Sequence, residues 1–105
     1  MKVLNQAQRK YLRSKAHHEK PIFQMGKYGL TEAFIEQVDS ALNKRELIKF
    51  NVLQNSLEEV SEVAIQIADA VDGYVVQTLG NVATLYRPSS VSKNKKISLE
   101  VEKLG

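Results

Sequence analysis

Gly26-Lys27-Tyr28-Gly29 is the stretch of this chain whose residue types and spacing best suit binding chemistry. Glycine tolerates φ > 0 and lets another backbone come close. Directly downstream, Leu30-Thr31-Glu32 carries the signature of a helix start, with unpaired N–H groups and the positive end of the helix dipole. A lysine at such a place suits a phosphate. The stretch is therefore a candidate clamp for a phosphate backbone. A tight strand-to-helix turn is the plainer reading of the same two glycines. Tyr28, at the loop tip, is placed either to stack on a base or to pack on the first helix, and the sequence leaves both open.

The distribution of charge favours an anionic partner. The net charge of the 105 residues is only +3. Residues 1–27, however, hold seven basic residues (Lys2, Arg9, Lys10, Arg13, Lys15, Lys20 and Lys27) against Glu19 alone, a balance of +6. Residues 28–87 hold four basic and nine acidic residues, a balance of −5, and residues 88–105 four basic and two acidic, a balance of +2. Such asymmetry points to one directed basic face. Arg9, Arg13, Lys15 and Lys20 would extend a positive track from the loop. Arg9 and Arg13 are four apart and would share an exposed helix face. Lys49 and Arg87 fall on or beside an exposed sheet face by strand alternation and would add contacts.

Other chemistries lack their residues. There is no cysteine, so neither a disulfide framework nor a thiolate metal site is available. His17 and His18 are adjacent and cannot both face one side of a helix as ligands. No Ser-His-Asp set, paired catalytic carboxylates, P-loop or metal cluster stands out. The expectation is a protein without catalytic residues, metal or cofactor. No apolar run approaches the roughly 18 residues of a membrane span, and no signal-peptide pattern opens the chain. A cytoplasmic monomer is expected.

The elements that must hold the loop follow from periodicity. Residues 5–17 fit a helix capped by Asn5, with Leu4, Tyr11, Leu12 and Ala16 as its apolar stripe. Pro21 opens a short strand through Met25. Thr31 caps a second helix, with Leu30 and Ile35 placed as a hydrophobic staple and Phe34, Ile35, Val38, Ala41 and Leu42 inward. Residues 46–53 alternate as a strand. Ser56-Leu57-Glu58-Glu59 resembles a capping box for a third helix, which Gly73 should end in the left-handed region. Tyr74–Leu79 and Val82–Arg87 form a hairpin across Gly80-Asn81. Tyr74 and Tyr86 are expected to pack rather than stack on a ligand.

The α-β-α-β-α-β-β order implies an α+β, two-layer α/β sandwich with a four-stranded mixed sheet. Helices two and three would cover one sheet face, and the other would be half solvated. Residues 1–88 would form the domain. Residues 89–105 fit a basic, flexible C-terminal tail, within which Ile97, Leu99 and Val101 alternate as an added strand would. The sequence equally allows that stretch to be a partner-binding tail or to have no order.

The chain resembles the bacterial YhbY-like proteins, single-domain members of the CRM (chloroplast RNA splicing and ribosome maturation) family. The residues that carry the resemblance are Leu12, Ala16-His17, Pro21, Gly26 to Thr31, Ala41-Leu42 through Glu46-Leu47-Ile48-Lys49, and Leu85-Tyr86-Arg87-Pro88. They run in order over residues 4–88. The resemblance implies an RNA-binding domain similar in fold to the C-terminal domain of translation initiation factor 3. It implies a role with ribosomal RNA or pre-50S particles in large-subunit assembly, with the GxxG loop gripping RNA as a KH loop does. A basic protein-interaction module without a direct RNA role is the alternative.

Overall fold

The computed structural model describes residues 3–26, 29–53 and 59–105. The element order is α1 (Gln6–Ala16), β1 (Phe23–Met25), α2 (Glu32–Arg45), β2 (Leu47–Val52), α3 (Val60–Val71), β3 (Tyr74–Leu79), β4 (Val82–Tyr86), a 3-10 turn (Ser92–Asn94) and α4 (Ile97–Lys103). The sheet runs β1-β2-β4-β3. β1 and β2 are parallel, whereas β4 is antiparallel to both β2 and β3. The hairpin strand thus inserts between β2 and β3. Its turn has a positive φ at Gly80 and not at Asn81, the sign pattern of a glycine-first two-residue turn.

Helix propensity is realised where caps and apolar stripes coincide. Asn5 and Gln8 form a reciprocal capping box at α1: Asn5 Oδ1 accepts Gln8 N–H at 2.7 Å and Gln8 Oε1 accepts Asn5 N–H at 2.9 Å. Thr31 Oγ1 accepts Phe34 N–H at 3.1 Å and opens α2. Phe34, Val38, Ala41 and Leu42 of α2 and Val63, Ala64, Ile67, Ala68 and Val71 of α3 are buried against one sheet face. There Phe34 meets Phe50 edge-on at 5.5 Å, a favoured arrangement of ring quadrupoles. Leu30 and Ile35 are both half-buried at the rim of this core, as a staple requires.

The helix ends differ from expectation in two places. α3 begins at Val60, with Glu59 extended (φ −78°, ψ 142°) and its side chain accepting no cap hydrogen bond. The rest of the anticipated box, residues 56–58, lies outside the described residues. At the other end it is Asp72 (φ 57°), not Gly73, that takes the left-handed conformation. Gly73 is needed for space, since a Cβ there would come within 3.2 Å of the Tyr86 carbonyl oxygen.

The second sheet face corrects the expectation of an open, half-solvated layer. Part of it is covered by α1 and by α4, which bury Leu12, Ala16 and Val101 against Leu47, Val76 and Tyr86. Tyr74 and Tyr86 stack there at 5.9 Å. Residues 89–105, read from the sequence as a basic flexible tail, contain α4 instead of an added strand. α4 is tied to α1 by Asn5 Nδ2, which donates to Leu104 O at 2.8 Å, and by Gln8 Nε2, which donates to Val101 O at 3.0 Å. Only the end of the face nearer the β1–α2 loop stays solvated, through Gln24, Lys49 and Asn51.

Candidate nucleic-acid interface

The Gly26–Gly29 segment joins the end of β1 to the cap of α2. Gly29 has φ +71°, a value that L side chains adopt at a cost of about 1–3 kcal/mol. Its N–H donates to Gly26 O at 3.0 Å, closing a tight turn. Gly26 is exposed, with no atom within 4 Å of where a Cβ would stand. Of the two glycines, Gly29 takes the positive φ and Gly26 does not, while Lys27 and Tyr28 lie outside the described residues. The turn is braced from the sheet. Leu53 N–H donates to Met25 O at 3.3 Å, and Val52 N–H donates to Asn81 O at 2.7 Å. The glycine turn, the α2 N-terminus and the hairpin tip therefore share one end of the sheet.

The basic residues separate into two groups. Arg13, Lys15 and Lys20 are exposed on α1 and the segment after it. Lys15 lies 5.8 Å from the Tyr11 ring centroid and remains in solvent. Arg9, expected beside Arg13 on an exposed face, is turned inward. Its Nη1 donates to Val75 O at 3.4 Å and Val76 O at 3.2 Å. Val76 is the extra residue of a bulge in β3, and such a bulge leaves backbone groups without a ladder partner.

Lys49 and Arg87 are also engaged within the fold. Lys49 Nζ donates to Ala16 O at 2.9 Å and Glu19 O at 3.3 Å, so the ammonium closes the C-terminal end of α1. Arg87 does not sit beside the open sheet face. It points to the α2–α3 side, where it pairs with Asp39 and donates to Val71 O at 2.8 Å, Asp39 O at 3.1 Å and Asn43 Oδ1 at 2.9 Å. Strand parity explains the difference: Leu85 and Arg87 share the helix side, whereas Tyr86 faces α1 and α4. A planar five-donor guanidinium suits such a junction.

Sequence reasoning missed Glu46. It is fully buried at the end of α2 with φ 66°, and its carboxylate accepts N–H bonds from Ser89 at 2.7 Å, Lys96 at 2.9 Å and Ser98 at 3.1 Å. Burial pushes its carboxyl up, but the nearby Ser98 hydroxyl and these three N–H groups outweigh burial and hold it below the usual range. Burial, with the Glu46 carboxylate adding to it, pushes the Tyr86 hydroxyl above its ordinary value. Among the described residues, no three His, Cys, Asp or Glu side chains are grouped to hold a metal.

Fold and site together define a small α+β domain that offers a glycine turn and a helix N-terminus at one sheet end, with an exposed basic strip on α1. The CRS1/YhbY (CRM) domain family profile matches residues 4–87, and the chain belongs to that family. It is 45% identical over 97 residues to Probable RNA-binding protein YqeI of Bacillus subtilis, covering 92% of this chain and 99% of the relative. It is 36% identical over 93 residues to an RNA-binding protein of Haemophilus influenzae, covering 89% and 94%. The solution structure of hypothetical protein SAV1595 from Staphylococcus aureus superposes with a TM-score of 0.73 at 41% identity, covering 90% of this chain and 98% of that one. The family profile and these relatives confirm the family resemblance.

Proposed function

We propose that this protein binds RNA without catalysing a reaction on it, and that its target is ribosomal RNA or a pre-50S particle during large-subunit assembly. It acts in this reading as a cytoplasmic monomer. The observation that carries it is the Gly29 turn at φ +71°, set directly before the N-terminus of α2. Phosphate oxygens would accept from the free N–H groups of the first α2 turn. Gly26 and Gly29 would let the RNA backbone approach, as in a KH loop, and Lys27 would supply charge. Arg13, Lys15 and Lys20 would extend the grip along α1. Arg9, Lys49 and Arg87 support these elements from within. Two relatives named as RNA-binding proteins agree with this reading.

The test has two arms. Purified protein is titrated with fluorescent ribosomal RNA fragments across a salt series, and cell extract is fractionated on a ribosome gradient. Affinity should fall steeply with salt, as counterion release requires, and the protein should co-migrate with large-subunit precursors. Salt-independent or absent RNA binding, with capture of an acidic protein instead, would favour a protein-interaction module. Migration with free protein alone would remove the ribosomal assignment.

A further inference from the structure

Beyond α1, the second sheet face is bare toward the glycine turn. Register places Lys49, Thr84 and Gln77 in one cross-strand row. The next row toward the turn begins with Gln24 and Asn51. Pro21, Lys49, Gln77, Leu79, Val82 and Thr84 line a cavity of about 150 Å³ on this surface. We propose that the cavity receives one unstacked base of a single-stranded RNA whose phosphates lie on the Gly26–Gly29 turn, and that it favours a base presenting a carbonyl (uracil, guanine or cytosine) over adenine. This rests on the RNA-binding reading above and adds to it a site for a base.

Size, lining, charge and position support the assignment. Pockets for drug-sized ligands begin near about 300 Å³, so this one suits a single flat ring system and excludes a helix or a base pair. Pro21, Leu79 and Val82 offer apolar contact for a ring face. Leu79 is 73% exposed, so its side chain is free to cover a ring face. Lys49 is held by Ala16 O and Glu19 O, and an ammonium has three donors and no acceptor. Two of the three are engaged, and a group meeting the third must accept, as a base carbonyl does. Adenine carries no carbonyl, and its amino group donates instead. The Gln77 amide both donates and accepts and can read the adjoining ring edge. Lys20, next to Pro21 in the chain, is exposed and suits a phosphodiester strand. Lys49 stands three residues before Val52, the partner of Met25 at the turn, a separation of about 10 Å along the strand.

The experiment uses the full chain with oligouridylate, oligoadenylate and an abasic strand of equal length. Wild type should bind oligouridylate about tenfold more tightly than the abasic strand, the scale of one base contact, and more tightly than oligoadenylate. Gln77→Ala and Leu79→Ala should each shrink that gap to about threefold or less, with abasic affinity and unfolding midpoint unchanged. Equal wild-type affinity for oligouridylate and the abasic strand overturns the base site and leaves phosphate binding standing. A gap that survives in both variants also overturns it. Equal affinity for the two homopolymers overturns the carbonyl preference. Failure to bind any of the three strands overturns the RNA reading itself.

Discussion

The carboxylate of Glu46, at the end of α2, accepts the backbone N–H of Ser98 at 3.1 Å, across 52 residues of sequence. With Lys96 N–H on the same oxygen, it satisfies donors that the start of α4 leaves unpaired. No side chain within the segment itself caps this end. The last helix is therefore held by a buried anion from elsewhere in the chain, and through it the covered part of the second sheet face.

Glu46→Gln should cost about 3 kcal/mol, the scale of hydrogen bonds to a charged group lost in a buried place. The same pair sets a pH dependence. The folded-state carboxyl lies below its ordinary value of 4.5, so its contribution is fully present above that value. It is lost as pH falls through the lower folded value. Urea unfolding at pH 7 and pH 3 should show wild type losing more stability than Glu46→Gln over that interval. Equal losses would show that the carboxylate is not the acid-sensitive element.

Arg87 joins α2, α3 and the end of β4, so its loss should be felt in stability before binding. Arg87→Lys cannot reproduce the set of bonds to Asp39, Asn43 and Val71. A loss of about 2–3 kcal/mol in denaturant unfolding is expected. RNA affinity measured well below the unfolding midpoint should stay within about twofold, because the guanidinium is turned away from the glycine turn. A large affinity loss with unchanged stability would return Arg87 to the interface.

At Gly29 the two effects should combine. A β-branched residue at φ +71° is strained by about 1–3 kcal/mol. Gly29→Val should therefore lower the unfolding midpoint and weaken RNA binding together, the second by displacing the turn. Gly26→Ala is the control: its Cβ meets open space, so stability should hold within about 0.5 kcal/mol. If Gly29→Val leaves both readouts unchanged, the turn has neither the strain nor the role assigned to it.

What was legible in the sequence was what local rules govern. Asn5 and Thr31 cap as their side chains demand, and Gly80-Asn81 turns as its first glycine requires. The buried stripes of α2 and α3 follow a 3.6-residue period. Illegible was what long-range contact decides. In 97–104 the alternation Ile97, Leu99, Val101 competes with the spacing Ile97, Val101, Leu104. Helix wins because Glu46 supplies its cap and Val101 finds a place beside Leu12 and Tyr86. The cationic residues were visible as charges, yet which were free was not. Arg9 and Arg13 have the same chemistry and helical face, but only Arg9 meets the exposed carbonyls of a bulge in β3. That bulge has no signature in the local sequence.

The division between those two arginines gives the sharpest test of the interface. Arg13→Glu and Lys20→Glu change exposed charges that make no hydrogen bond or ion pair to the described residues. Each should weaken ribosomal RNA binding by about tenfold at low salt and lower the slope of log affinity against log salt by about one. Stability should move by no more than about 0.5 kcal/mol, as for other surface changes. Arg9→Met should do the reverse, leaving the carbonyls of Val75 and Val76 without their donor and lowering stability by about 1–3 kcal/mol. Its salt slope should remain that of wild type, because a guanidinium held on the β3 bulge is not released to phosphate. If Arg9→Met lowers the slope as Arg13→Glu does, the positive track runs over both residues, and the bulge contact gives way when RNA binds.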